Sequence, residues 1–230
     1  PLLLVQGPPG TGKSYATAFA LWARMQGALV AGLEWRVFCG CKTHAATDVL
    51  LENLRDVQDK LRAIQEQQPA LFEQYFDARL LEVPLFRAAR TQAMDGVIAL
   101  PKKSEQEKGE LSAAKQINAV EHCFVGATPG GVYRVLKDVG QLSGHDFCGA
   151  VVLDEASQMN LPEAIMASLA LGAHGQVIVV GDHRQMPPIV KHNWGIEPRR
   201  TFADWKTYAS LFETLLEPEM PVPVIRFEES

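Results

Sequence analysis

Long apolar runs are absent from this 230-residue sequence, and none approaches the ~20 residues that a membrane span needs, so no transmembrane helix is expected. Cysteine is scarce, at four residues. Cys39 and Cys41 form Cys-Gly-Cys, Cys123 and Cys148 sit in or beside apolar strand candidates, and no CxxC pair has zinc-site spacing. Reduced core thiols and no Cys/His metal constellation are expected. An excess of positive charge is also missing: 22 Lys and Arg face 27 Asp and Glu, for a net charge of −5. That balance argues against coating of nucleic acid by bulk electrostatics, while a local basic track stays open. "PLLLVQG" lacks a basic leader segment and runs into a glycine-rich turn, which reads as a strand rather than a secretion signal. A cytoplasmic setting is expected, with nucleoid or nucleus open. Internal repeats and low-complexity tracts are absent.

What the chain does have is length and alternation. A chain of 230 residues buries roughly 70–75% of its unfolded surface, enough for one large domain. Strand candidates at 2–6, 35–41, 122–127, 149–153, 176–180 and 222–227 alternate with helical patterns at 13–26, 44–66, 129–138, 161–171 and 207–216. This order predicts an α/β fold with a parallel sheet flanked by helices on both faces, because several strands are apolar on both sides. In 44–66 the residues Leu50, Leu54, Val57, Leu61 and Ile64 step by four and three, so that helix either packs on its own sheet or offers a short coiled-coil seam. From about 66 to 120 the pattern turns irregular. The expected division is therefore a main domain of 1–57 and 120–230, carrying an inserted helical and irregular segment at 58–119. The abrupt apolar stretches at both ends suggest a piece of a longer protein.

"GPPGTGKS" at 7–14 follows a strand and opens a helix, the context in which GxxxxGK[ST] forms a phosphate-binding loop. Its glycines let successive N–H groups point inward as an anion nest, backed by the positive end of the helix. The expected nucleotide-binding set is Gly7, Pro8, Pro9, Gly10, Thr11, Gly12, Lys13, Ser14, Tyr15 and Asp154. Lys13 suits the β- and γ-phosphates, and Ser14 with Asp154 suits Mg²⁺. "VVLDEASQ" at 151–158 is an apolar strand ending in adjacent carboxylates; a sharp turn after Asp154 is required if both are to serve one site. Glu155 would then polarise an attacking water. The cofactors implied are a nucleoside triphosphate and Mg²⁺, and hydrolysis is favoured over simple binding.

The order of "GPPGTGKS", "KTHAATDVL" (42–50), "FVGATPGG" (124–131), "DEASQ" (154–158) and "GDHRQMPP" (181–188) resembles motifs I, Ia, Ib/Ic, II and III of superfamily 1 helicases. The similarity is to the branch containing the nonsense-mediated-decay RNA helicase and the replication nuclease-helicases. It implies a P-loop, RecA-like fold in which 58–119 corresponds to a variable insertion, and in which the strand ending at Gly181-Asp182 lies beside the P-loop strand. It further implies that Gln185 contacts the γ-phosphate side of the site and senses nucleotide state, giving Lys13, Glu155 and Gln185 as the catalytic set. Thr43, His44 and Thr128 would line a face for single-stranded DNA or RNA, with movement 5′ to 3′. Thr43 also reads as a simple helix cap. Lys102, Lys103, Arg199 and Arg200 are either further phosphate contacts or a solvated face.

Such helicases carry two RecA-like domains, and the second, a partner here, supplies the arginines that stabilise the transferring phosphoryl group. No arginine finger is assignable among these residues, so the chain alone is expected to bind Mg-ATP and turn it over weakly. The adenine-recognising glutamine motif that such helicases carry upstream of the P-loop is not assignable among these residues either, so ATP as the nucleotide is expected from the resemblance. The alternative class is a P-loop switch ATPase that engages a protein and never unwinds.

Overall fold

The computed structural model describes residues 1–88, 94–100, 111–138, 147–182, 184–185, 187–189, 209–216 and 222–228. Lys102, Lys103, Arg199 and Arg200 lie outside them. The chain runs β1 (Leu2–Gln6), α1 (Lys13–Ala31), β2 (Trp35–Cys41), α2 (His44–Gln67), α3 (Pro69–Tyr75), a 3-10 turn (Ala78–Glu82), β3 (Leu85–Ala88), β4 (Ile98–Leu100) and α4 (Ala113–Asn118). It continues with β5 (His122–Ala127), α5 (Pro129–Asp138), β6 (Cys148–Asp154), a second 3-10 turn (Ala156–Gln158), α6 (Leu161–Ser168), β7 (Leu171–Gly181), α7 (Leu211–Leu216) and β8 (Val224–Arg226).

Among the described residues the strands form one sheet in the order β4-β3-β5-β2-β6-β7-β1-β8. Every pairing is parallel. Side chains alternate across a strand, so a sheet covered on both faces needs apolar residues at consecutive positions. Val37, Cys39, Val152, Ile178 and Val180 bury toward α1 and α2. Phe38, Val151, Leu153 and Val179 bury toward α4, α5, α6 and α7. Consecutive residues of β2, β6 and β7 thus feed two separate cores.

Helix α1 starts after left-handed Gly12 and ends at left-handed Gly32, whose N–H reaches the carbonyls of Ala28 and Leu29. Thr43 caps α2 by accepting from Ala46 N–H at 3.1 Å. The seam of α2 packs on its own sheet: Leu50, Leu54, Val57 and Leu61 are buried in the α1/α2 core and Ile64 packs against it. This is the first of the two readings for that seam. The buried Gln58 amide donates to the carbonyls of Leu80 at 3.1 Å and Val83 at 2.9 Å, tying the following 3-10 turn to the helix. All four cysteines are buried and free of disulfides. Burial pushes the Cys123 and Cys148 thiols up to about 12 and raises Cys39 and Cys41 as well.

Several expected bounds differ from the structure, and α1 runs on to Ala31 beyond the expected 26. The segment 58–119 contributes β3 and β4 to the main sheet, and α2 runs unbroken across its expected boundary. A four-residue strand holding an arginine and a three-residue edge strand give too little periodicity to detect. Helix α6 stops at Ser168, and β7 begins at Leu171, which pairs with Cys148 before an irregularity that makes Gln176 the partner of Ala150. The last strand spans Val224–Arg226, shorter than 222–227.

Leu54 is fully buried, and its carbonyl accepts from Trp22 Nε1 at 2.8 Å. Leu54→Ala is expected to cost about 2–5 kcal/mol of unfolding free energy by leaving a cavity between α1, α2 and the sheet. Urea denaturation at neutral pH measures it.

Candidate functional site

Parallel pairing aligns the carboxyl ends of β1, β7, β6, β2 and β5 on one edge, where open α/β sheets place their ligands. Register sets the details. Gln6 pairs with Gly181, Cys41 with Asp154, and Gly40 with Ala127. The loop after β1 therefore starts beside the turn after β7, and Gly7 N–H donates to the Gly181 carbonyl at 3.3 Å. The neighbouring β1 and β7 match the strand arrangement that the motif order implies.

Gly10 and Gly12 have φ of +80° and +74°, and a Cβ at either would point into open space. Only glycine adopts that backbone at little cost, and the result is a concave run of N–H groups at the start of α1. Thr11 Oγ1 donates to the Pro8 carbonyl at 2.8 Å, and Lys13 Nζ donates to the same oxygen at 2.7 Å. Burial lowers the Lys13 pKa, and the Asp182 and Asp154 charges act against that shift. Lys13 is thus tied back to the loop by its own hydrogen bond and lies within the fields of both carboxylates.

Asp154 closes β6 almost wholly buried. Burial raises its pKa; the Ser14 hydroxyl, the Glu155 N–H at 2.8 Å and the Lys13 charge hold it down. The Ser14–Asp154 pair is an oxygen-only donor set of two protein groups, which fits Mg²⁺, a cation that keeps several of its waters. The sharp turn required after Asp154 is present: Glu155 takes φ 53°, ψ 37°, the one non-glycine with positive φ among the described residues. Such strain in a carboxylate at a strand end is a mark of a functional position. Burial and then the Asp154 charge raise the Glu155 pKa.

The turn after β7 is organised by Asp182, buried at 3% exposure. Its N–H donates to Ser157 Oγ at 3.3 Å, its Oδ1 accepts from Arg184 N–H at 3.0 Å, and its carbonyl accepts from Gln185 N–H at 3.1 Å. Gln185 is therefore carried on a turn pinned both to the "DEASQ" segment and to the P-loop strand. A cleft of about 220 Å³ flanks this turn, lined by Gln6, Pro8, Asp182, Arg184, Arg226 and Glu228 among others.

Sequence reasoning omitted Asp182 from the candidate set, although it adjoins Gly181 in the quoted motif. Its signal is an acid one step past a buried apolar strand. Thr43, His44 and Thr128 gather at a second place on the same edge, past the ends of adjacent β2 and β5. Both threonines cap helices: Thr128 Oγ1 accepts from Gly131 N–H at 3.3 Å in α5. The capping reading of Thr43 holds, and a capping hydroxyl keeps its own hydrogen to donate.

An all-parallel sheet with a glycine-rich loop at its edge and a strand-end carboxylate facing it defines a P-loop nucleotide-binding domain of the RecA-like type. The chain belongs to the AAA domain family, which matches residues 1–191. It is 28% identical over 223 residues to the ATP-dependent helicase NAM7 of Saccharomyces cerevisiae, covering 94% of this chain and 21% of that protein. It is likewise 28% identical over 205 residues to the ATP-dependent helicase upf1 of Schizosaccharomyces pombe, covering 83% and 21%. A homolog of regulator of nonsense transcripts 1 from Drosophila melanogaster matches at 28% over 199 residues, covering 83% and 16%. The chain thus spans about a fifth of the length of these relatives. With the motif order, they identify it as a first RecA-like domain of superfamily 1 helicase type.

A carboxylate whose pKa burial has raised favours the folded state while protonated and costs stability once ionised, so its penalty is full above the raised value and absent below about pH 4. Asp154→Asn is expected to melt at a higher temperature than the parent at pH 7, with the gain shrinking as pH falls toward about 4. Thermal unfolding between those pH values checks the sign.

Proposed function

We propose that this domain binds and hydrolyses Mg-ATP and, within its parent protein, uses that cycle to move along single-stranded DNA or RNA. One observation carries the reading: Lys13, Ser14, Asp154 and Asp182 converge at the glycine loop, with strained Glu155 beside them. That two of the relatives are ATP-dependent helicases supports ATP as the nucleotide.

In this proposal the loop N–H groups and Lys13 hold the triphosphate and disperse its charge. Mg²⁺, when bound, neutralises the phosphate oxygens and would be held by Ser14 and Asp154. Glu155 takes a proton from the attacking water, and its raised pKa makes it a stronger base than an ordinary surface carboxylate. Gln185 reads the γ-phosphate side through its amide. Because its turn hangs on Asp182, loss of that contact reaches both "DEASQ" and the P-loop strand. Thr43, His44 and Thr128 meet phosphate oxygens of the strand without reading sequence. Polarity is 5′ to 3′, and the second RecA-like domain supplies the arginines.

Lys13→Ala is expected to weaken nucleotide binding roughly 10- to 100-fold, the range for one charge-assisted contact. Glu155→Gln should retain binding and lower turnover by about 10²–10⁴-fold. The direct test is steady-state ATP hydrolysis by the parent protein with and without single-stranded DNA or RNA, using Glu155→Gln as the blank. Stimulation by one polymer supports the motor and names its track. No stimulation by either, with nucleotide still bound, overturns the motor in favour of a switch that acts on a protein. The 230-residue chain alone should bind Mg-ATP but hydrolyse it slowly, since an arginine finger is worth about 10³–10⁵ in rate; turnover at the parent's rate would overturn the role given to the second domain.

A further inference from the structure

Among the described residues Arg87 is the largest fully buried side chain, at 1% exposure, in a strand that is otherwise Leu, Phe and Ala. A buried guanidinium is costly unless its charge is paired and its donors are filled. Here five N–H donors meet five acceptors. Nε donates to Asp48 Oδ1 at 2.6 Å, Nη1 to the carbonyls of Ala88 at 3.0 Å and Gly126 at 3.4 Å, and Nη2 to the His44 carbonyl at 3.3 Å and its ring Nδ1 at 2.8 Å. These partners come from β3, β5 and the first turns of α2. The approach depends on Gly126, where a Cβ would lie 2.5 Å from Leu51 Cδ1; its absence lets α2 settle close to β5.

We infer that Arg87 is a positioning residue for the strand-facing edge, holding His44 in the tautomer that donates from Nε2 and fixing the start of α2 against β5. The inference rests on the reading of His44 and Thr43 as phosphate contacts. Its chemistry is simple. Arginine can only donate, so the ring nitrogen facing Nη2 must carry its lone pair and the proton of the neutral imidazole lies on Nε2. His44 is exposed, and an N–H donor has the polarity that a phosphate oxygen accepts. Lysine has three donors on a point charge and cannot reproduce this fork.

The experiment combines imidazole nitrogen NMR of the parent protein, with His44→Ala identifying the signals, and oligonucleotide binding across a salt series. The expected spectrum is an Nε2-protonated neutral ring for His44. Arg87→Lys should lose that fixed tautomer and weaken single-strand binding roughly three- to tenfold, the range for one hydrogen bond. In the His44→Ala background Arg87→Lys should cost less than it does in the parent, because only the placement of Thr43 is left to lose. Because a neutral imidazole releases no counterion, the dependence of log affinity on log salt should keep its slope. A His44 proton on Nδ1, or a slope reduced by about 0.7 in Arg87→Gln as for the loss of a direct phosphate contact, overturns the inference at Arg87. The expected tautomer with no binding to DNA or RNA overturns it instead through the strand-face reading. Should Arg87→Lys fail to fold, the parent spectrum and the affinity and slope of His44→Ala still decide.

Discussion

The parallel pairing of β1 with β7, from Leu2 against Val177 to Gln6 against Gly181, is the constraint on which the rest of the site depends. Ladder hydrogen bonds fix two strand ends side by side, and everything functional is then hung from those ends. Gly7 bonds Gly181, Asp182 reaches Ser157, and Lys13 lies within the fields of Asp182 and Asp154. A shift of one residue in that register would turn Val179 out of its core and move the loop away from its carboxylates. Two apolar cores, one on each face, make such a shift costly.

That edge is bought with stability. Burial raises both Asp154 and Glu155, and Glu155 adds a left-handed backbone that a glycine would hold at less cost. The compensation is local and specific. Ser14 and the Glu155 N–H satisfy the Asp154 carboxylate, while the capping box between Asn160 and Glu163 secures α6 immediately downstream. The same Glu163 pairs with Lys42, so the helix after "DEASQ" and the residue before Thr43 share one ion pair. A direct polar bridge therefore joins the nucleotide side of the edge to its second cluster.

The second cluster is built by different means. Where the first uses register and a glycine loop, this one uses a buried arginine whose fork spans β3, β5 and α2. The carboxylate of Asp48 neutralises it, and three backbone carbonyls together with His44 Nδ1 take the donors that Asp48 does not. The strand that carries Arg87 lies within what reads in the sequence as an insertion, and yet it is a member of the main sheet. Structure needed at the sheet edge is thereby drawn from the least regular part of the text.

The sequence alone determined the elements whose chemistry is local. The ranges of β1, β2, β5 and α5, the glycine loop opening α1, the Thr43 cap and the strand end at Asp154 were all legible. Each rests on side-chain alternation, a capping residue or a backbone angle that one short segment dictates. Tertiary structure decided what depends on distant residues. Strand order, the convergence of Lys13 with Asp154 and Asp182, the left-handed turn at Glu155, and the membership of β3 and β4 in the sheet arise from register and from packing against other elements. Arg87 shows the reason most plainly: its neighbours in sequence are apolar, and its meaning lies in five acceptors, four of which other segments supply once the chain has closed around it.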